Sequence, residues 1–328
     1  MSNNKIELNL MDLSEEIIMT VDSGKMNTNG YTENKNGEEI KHIFRTNVVE
    51  TKEILANEYK VVSDNVTYSV GDPAHDIREE DHLETQKDTN MHFICTLKMI
   101  ANLLKKSGYS KKGAKIALGI NVPVKQYLIE EERGKFIKLY KGHHEIFVEE
   151  EFYSFEITTV EPYFEGSGFL YNNLMKYKNR RIILVDNGGH ESTYVEVNNL
   201  APQTGANSLQ TGIHRLINDI LAKHSSYGMT RDQVLDILDK NGKTHSTPQI
   251  EKDFNVCIKD HVQGIYTRLN SVKRAAITDF AFTGGATSVY RPYLEEFFPH
   301  REFSEDGLYD NVSGNYKKMK LKRSAKRA

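Results

Sequence analysis

The sequence predicts an α/β chain of two similar halves facing each other across a cleft, and three stretches carry that prediction. Ile182–Val185 is a β-branched and aliphatic run with the length of a buried strand, and it ends in Asp186-Asn-Gly-Gly-His190. Ile17-Ile-Met-Thr-Val-Asp-Ser-Gly-Lys25 repeats the form: an apolar run, an aspartate, one spacer, a glycine. Asp22 and Asp186 stand 164 positions apart, half of the 328 residues, and Gly24 and Gly188 keep that offset. The third stretch, Ile277-Thr-Asp-Phe-Ala-Phe-Thr-Gly-Gly-Ala-Thr287, also follows an apolar strand and leads into a helix-like segment. Without a Cβ, glycine lets the main chain of a tight turn approach a partner closely. Such turns present N–H groups to an anion, and an aspartate at the strand end can hold a hydrated cation beside it. Each stretch alone reads equally well as a hairpin with a glycine turn. Together they predict a duplicated nucleotide site.

In chain order, residues 5–20 pass from mixed apolar and acidic residues into the first strand near Ile17. Asn27–Gly37, rich in Asn, Gly and Thr, reads as a hairpin loop. Ile40–Val49 and Tyr59–Val70 follow as strands, the alternation in Val66-Thr-Tyr-Ser-Val70 indicating one buried face, and Gly71–Asp76 is a turn. The mixed charges of Asp76–Asp88 mark a solvated loop or helix face. Apolar residues at Phe93, Ile94, Leu97, Ile100, Ala101 and Leu104 make Asn90–Lys106 an amphipathic helix, stopped by Lys105-Lys106 and Gly108. Lys115–Val124 is a strand running into a proline turn, and Gln126–Leu139 is a helix or charged connection. Ile146–Val160 holds two more strand runs, Glu161–Gly168 reads as loop, and Phe169–Tyr177 as a short helix.

Beyond His190, Thr193–Val197 completes a hairpin, Asn198–Gly212 is loop and Ile213–Lys223 is a second amphipathic helix. Thr230–Asp239 is a helix with Thr230 as its N-cap. Gly242–Pro248 is loop and Asp253–Ala276 one long helix. Thr287–Phe298 is a helix capped by Thr287 or Ser288, and the tail Lys317–Ala328 carries seven basic residues in twelve. This succession predicts α/β or α+β halves and excludes an all-helical chain.

A length of 328 residues suffices for two domains with separate cores. The net charge of −3 gives no case for general nucleic-acid affinity. Cys95 and Cys257 are too few for a disulfide framework or a Cys-rich zinc site. The first residues lack an apolar signal core, and no uncharged apolar run approaches the roughly 18 residues of a membrane span. A cytoplasmic protein is expected. His143-His144-Glu145 looks like a metal cluster on paper, but adjacent strand residues point to opposite faces, which argues against one.

With these motifs in order, the sequence resembles the actin superfamily, and within it the bacterial plasmid-segregation actins of the ParM/StbA type. Asp22-Ser-Gly-Lys25 is similar to the family's first phosphate loop, Asp186-Asn-Gly-Gly-His190 to its second, and Phe282-Thr-Gly-Gly-Ala286 to its adenosine-contact loop. Leu118-Gly-Ile-Asn-Val-Pro-Val124 and Tyr309-Asp-Asn-Val-Ser-Gly-Asn-Tyr316 resemble a strand-and-proline turn and a closing segment of the same family. The resemblance implies an actin-like, ribonuclease H-like duplicated fold with two domains around a central nucleotide cleft. Residues 1–165 with 300–328 would form one domain and 166–299 the other.

The resemblance further implies an ATPase, with GTP as the other candidate nucleotide, that polymerises with nucleotide bound and falls apart after hydrolysis. The residues expected at the nucleotide are Ser23, Gly24, Lys25, Asn27, Asn187, Gly188, Gly189, His190, Thr283, Gly284, Gly285 and Ala286. Asp22 and Asp186 would hold Mg²⁺ through water, Asp186 also serving catalysis. Lys25 stands where the family usually has a hydroxyl residue, and it either reaches the phosphates or points away. The family also places a Glu or Gln after the proline of the segment at 160–168 to orient the attacking water. That position is Tyr163 here, so Glu161 and Glu165 are the candidates. Partners implied are further copies of the chain and a ParR-like, DNA-binding adaptor on a centromere-like site, without sequence-specific DNA contact or membrane attachment. A small-molecule kinase of the same superfamily is the alternative, needing a base such as Asp72 or Asp76 beside an acceptor pocket. A heat-shock-type chaperone ranks last, because little chain remains for a peptide-binding domain.

Overall fold

The computed structural model describes residues 16–50, 60–71, 89–240 and 244–327. The charged run Asp76–Asp88 and the carboxylates Asp72 and Asp76 lie outside the described residues, as does the start of the chain. The first half begins with β1 (Ile17–Ser23), β2 (Asn27–Glu33), β3 (Glu39–Arg45), β4 (Val48–Glu50), β5 (Lys60–Ser63) and β6 (Val66–Val70). Helix α1 (Asn90–Ser107) leads to β7 (Lys112–Val122), α2 (Glu130–Tyr140), β8 (Gly142–Val148) and β9 (Glu151–Phe164). These strands make one sheet in the order β3-β2-β1-β7-β9-β8-β5-β6-β4.

After α3 (Ser167–Asn172) the second sheet is built from β10 (Arg181–Asn187), β11 (Ser192–Asn198), β12 (Ala201–Pro202) and β13 (Asn207–Leu209). It is completed by β14 (Phe280–Thr283) and β15 (Arg301–Phe303), in the order β12-β11-β10-β14-β15 with β13 beside β11. Helices α4 (Ile213–Lys223), α5 (Arg231–Leu238), α6 (Pro248–Lys273) and α7 (Thr287–Phe297) surround it, and α8 (Asp310–Arg327) closes the chain.

The two sheets share a plan. In each, a central strand pairs antiparallel with the strand that follows its turn, as β1 with β2 and β10 with β11. On its other side it pairs parallel with a later strand, β1 with β7 and β10 with β14. Burial follows from apolar composition: Met19, Val21, Ile116, Leu118 and the buried side of α1 form one core. Ile183, Val185, Phe280 and Phe282 form another with α4, α6 and α7. The opposite face of the first sheet is covered by α8, through Val312 and Tyr316 on Tyr31 and through Met319 on Ala117 and Tyr163. No helix among the described residues is long and apolar enough to cross a membrane.

Several expectations about elements change, and the expected loop Asn198–Gly212 contains the short strands β12 and β13. Asn27–Glu33 is strand β2 rather than loop, because its hydroxyls are absorbed locally: Thr32 donates to Ile18 O at 2.8 Å and Thr28 shares a 2.8 Å bond with Thr46. Strand β9 continues through Glu161–Phe164, where a loop was expected. Beyond Ile157 the side of β9 away from β7 is no longer covered by β8, so Pro162 lies on a locally exposed strand edge. Helix α6 starts at Pro248 behind a Thr247 cap, earlier than Asp253. Helix α7 has Ala286, not Thr287 or Ser288, at its N-cap, since Thr287 is the first helical residue and its hydroxyl donates to Thr283 O. Thr230 does cap α5, with a full capping box to Gln233. The strand Arg301–Phe303 pairs with β14 in the second sheet, although the expected boundary at 300 puts it with the first domain.

Candidate nucleotide cleft

Both strand-end aspartates open onto the same space. A cavity of about 1100 Å³ lies between the two halves, and Asp22 and Asp186 both line it. Gly24, Lys25, Met26 and Asn27 line it from the first half; Gly188, Gly189, His190 and Glu191 line it from the second. The turns are in direct contact, since a Cβ placed on Gly189 would lie 2.9 Å from Cβ of Met26. Lys25 Nζ reaches across and donates to Glu191 Oε1 at 2.7 Å. Burial pushes the Glu191 carboxyl up, but the hydrogen bond and charge of Lys25, with smaller help from Ser208 and Lys125, outweigh it, and the group ends below the ordinary glutamate range. Two further ion pairs link the halves at the rim, Arg45 to Asp232 and Lys41 to Asp306, each at 3.2 Å. In all three the cation comes from the β1–β3 region and the carboxylate from the second half.

The first turn is tight because Gly24 N donates to Asn27 O at 3.0 Å. Ser23 does not offer its hydroxyl to the cavity: it is buried and bonded to His92 Nδ1 at 3.0 Å and to Thr28 at 3.3 Å. The second turn rests on main chain. Gly188 O and Gly189 O accept from Ile213 N and His214 N of α4, at 3.2 and 2.9 Å, and His190 O accepts from Gly212 N. The ring of His190 stacks on His214 with centroids 4.5 Å apart. Asn187 is fully buried, its amide donating to Thr287 Oγ1 at 3.0 Å, so it braces α7 rather than lining the cavity.

The third turn brings Gly284, Gly285 and Ala286 to the cavity wall at the N-terminus of α7. Gly284 has φ +90° and sits against the second aspartate: a Cβ there would lie 2.3 Å from Asp186 Oδ1. Only glycine meets both demands cheaply. Thr283 is buried behind the turn and donates to Asp310 Oδ2 at 3.0 Å. Burial pushes the Asp310 carboxyl above the ordinary aspartate range, despite donors from Ser304, Thr283 and Asn172. A helix N-terminus and glycine turns around one cavity suit the phosphates of a ligand. Leu235, Ile237, Phe254, Ile258, Val289 and Tyr293 line the cavity alongside polar residues such as Asp239, Ser246 and Asn255, a mixed surface that suits a base and sugar.

The two candidate water-orienting carboxylates are separated. Glu165 lines the cavity just after β9. Glu161 accepts from Tyr163 Oη at 2.9 Å and from Lys322 Nζ at 2.6 Å, beside α8 and outside the cavity lining. The basic tail is likewise engaged on the protein: Lys320 pairs with Glu33 at 2.6 Å, Lys322 with Glu161, and Arg323 with Glu16. His144 Nε2 bonds Tyr140 O at 2.7 Å, and no cluster of three metal-ligating side chains occurs among the described residues. Asn311, given no role from the sequence, also lines the cavity, and its Nδ2 donates to Asp22 Oδ2 at 2.9 Å.

Residues 20–168 match the sequence profile of the N-terminal domain of actin-like proteins. The whole fold superposes on known structures: apo psk41 ParM matches with a TM-score of 0.73 at 12% identity, over 96% of this chain and 100% of that one. The fold is that of the actin-like proteins. The Alp12 filament structure matches with a TM-score of 0.68 at 22% identity, over 94% of this chain and 99% of that one. The AlfA filament bound to AMPPNP matches with 0.67 at 17% identity, over 96% and 100%. Comparison with curated proteins gives no sequence match.

Proposed function

We propose that this chain is an actin-like ATPase whose nucleotide-bound form assembles into filaments that segregate plasmid DNA. The observation that carries the reading is the placement of Asp22 and Asp186, at the ends of equivalent strands in two halves of like topology, on one cavity. The matched structures include filaments of Alp12 and AlfA, the latter with AMPPNP, which supports this reading over a small-molecule kinase. The domain division belongs to the proposal: the first sheet with α8 moves against the second sheet with α4–α7.

The donor set fits magnesium. Two carboxylates on one cavity, with no cluster of three ligating side chains among the described residues, suit an ion that keeps several waters and completes its shell with phosphate oxygens. Asp22 and Asp186 would hold it, and when bound it neutralises charge on the transferred phosphoryl group. The chain's own part is positioning. Gly24 and Gly188 N–H close the two turns on Asn27 O and Glu191 O, so the remaining main-chain N–H groups of the turns at 23–25 and 188–190 grip the β- and γ-phosphates from opposite sides, and Gly284-Gly285 lies against the nucleoside. Glu165, on the cavity wall, orients the attacking water. His190 lies within the second phosphate turn. ATP is the proposed nucleotide, with GTP the other triphosphate to test.

Closure of the halves on the γ-phosphate is a hinge-type switch that couples hydrolysis to contacts between copies of the chain. The DNA is reached through a ParR-like adaptor on a centromere-like site, in the cytoplasm. Purified protein with Mg-ATP, followed together by phosphate release and light scattering, tests this. Assembly that decays as phosphate appears is expected. Sugar-dependent ADP release without assembly would replace this reading with the kinase.

A further inference from the structure

We infer that Asn311 is a positioning residue that sets the carboxylate of Asp22 and the turn carrying Glu165 in one frame. Its side-chain amide is engaged at both ends: Nδ2 donates to Asp22 Oδ2 at 2.9 Å, and Oδ1 accepts from Gly166 N at 2.9 Å. The Gly166 N–H is a main-chain donor, so the oxygen must face it and the nitrogen must face Asp22; the amide has one orientation. Gly166 directly follows Glu165, whose own N–H is fixed on Val122 O at 3.1 Å. One side chain thus ties the end of β1 to the end of β9, at two residues that the proposed reaction needs.

Asn311 is itself held rigidly. It lies in the first turn of α8, where that helix crosses α3 backbone to backbone: a Cβ on Gly168 would lie 2.1 Å from Asp310 O, and one on Gly314 would lie 1.8 Å from Gly168 O. The preceding Asp310 is buried and accepts from Thr283 and from Asn172, each at 3.0 Å. The helix therefore cannot slide without breaking contacts to both halves. Asparagine alone among side chains of this length donates to a carboxylate and accepts from a main-chain N–H at once. Aspartate would set a second negative charge against Asp22, and alanine would leave both partners without this side chain. Partners of this kind, standing behind a metal-holding carboxylate, change metal affinity or activity by about 10- to 100-fold when removed.

The inference rests on the nucleotide reading above, and its test separates the two. Asn311→Ala, Asn311→Asp, Asp22→Ala and the double variant Asp22→Ala/Asn311→Ala are compared with wild type. Binding of a fluorescent ADP analogue is measured in Mg²⁺ and in EDTA, alongside kcat, KM and thermal unfolding. Wild type is expected to bind more tightly with Mg²⁺. Both Asn311 variants are expected to need about tenfold more Mg²⁺ for half-saturation and to lose about tenfold or more in kcat, with KM for nucleotide nearly unchanged. The alanine pair is expected to behave like Asp22→Ala alone, because Asn311 acts through Asp22. Wild-type Mg²⁺ dependence and kcat in both single variants would overturn the inference while leaving the ATPase reading intact. So would fully additive losses in the double variant, or losses that merely track a fall in thermal stability. A wild-type protein that binds no nucleotide would overturn the ATPase reading first, and this inference with it.

Discussion

β1 and β10 both end in an aspartate and a glycine turn, and both pair antiparallel with the next strand and parallel with a later one. What stands behind the two turns differs. The first is backed by side chains: His92, Ser23, Thr28 and Thr46 form a buried hydrogen-bonded row beneath it. The second is backed by main chain, with Gly188, Gly189 and His190 carbonyls on the start of α4 and Gly284 pressed against Asp186 and Asn187. The lesson concerns what each turn tolerates. A turn held by side chains depends on which polar groups are present, whereas one held by main chain depends on which side chains are missing.

The comparison breaks first at the aspartates. Asp186→Ala is expected to abolish hydrolysis, a loss on the order of 100-fold or more, while the fold persists. Phosphate release with circular dichroism checks this, and wild-type turnover would remove Asp186 from the site. Glycine substitution comes next. Gly284→Ala meets a φ of +90° and the Asp186 carboxylate, so it is expected to cost about 1–3 kcal/mol in stability together with nucleotide binding. Gly24→Ala, which meets only Asn27 O at 2.9 Å, is expected to cost less. Denaturant unfolding of both proteins gives the ranking, and equal costs would erase the proposed contrast.

Ser23→Ala sharpens it from the other side. Removing the hydroxyl from the buried row is expected to lower stability by about 1 kcal/mol and leave turnover in place, because the hydroxyl faces His92 and not the cavity. A large fall in kcat without loss of stability would return that hydroxyl to the phosphates. The smallest effect is expected at the link between the turns. The Lys25–Glu191 pair is partly exposed, at 14% and 26%, and such pairs are worth up to about 1 kcal/mol. Glu191 titrates below its unfolded value, so its contribution is present above the ordinary glutamate pKa of about 4.3 and is lost as pH falls through the folded value. Melting temperature against pH should fall more gently for Glu191→Gln than for wild type across that acid window.

Much of this was legible in the sequence. The matched spacing of Asp22-x-Gly24 and Asp186-x-Gly188 located two turns that meet in space, and helical periodicity found α1 and α4 within a residue of their ends. The failures share a cause. Pro162 and the polar run Asn27–Glu33 look like loop because local rules assume each strand must satisfy itself. The sheet instead gives β9 a free edge at Pro162 and gives β2 two bonded neighbours. Glu161 and Glu165 could not be told apart by spacing alone; the end of β9 aims one at Lys322 and the other at the cleft. Asn311 carried no signal beyond its place in the closing segment, since its partners are 289 and 145 positions away in the chain.

Helix α8 follows both sheets in the chain yet seals the face of the first sheet that bears Tyr31, Ala117 and Tyr163. During synthesis that face stays wet until Met319 has left the ribosome, however early β1–β9 have paired. The N-terminal half therefore matures only after the C-terminal half has been translated, and a chain stopped short of α8 would display an aromatic surface suited to chaperones and to aggregation.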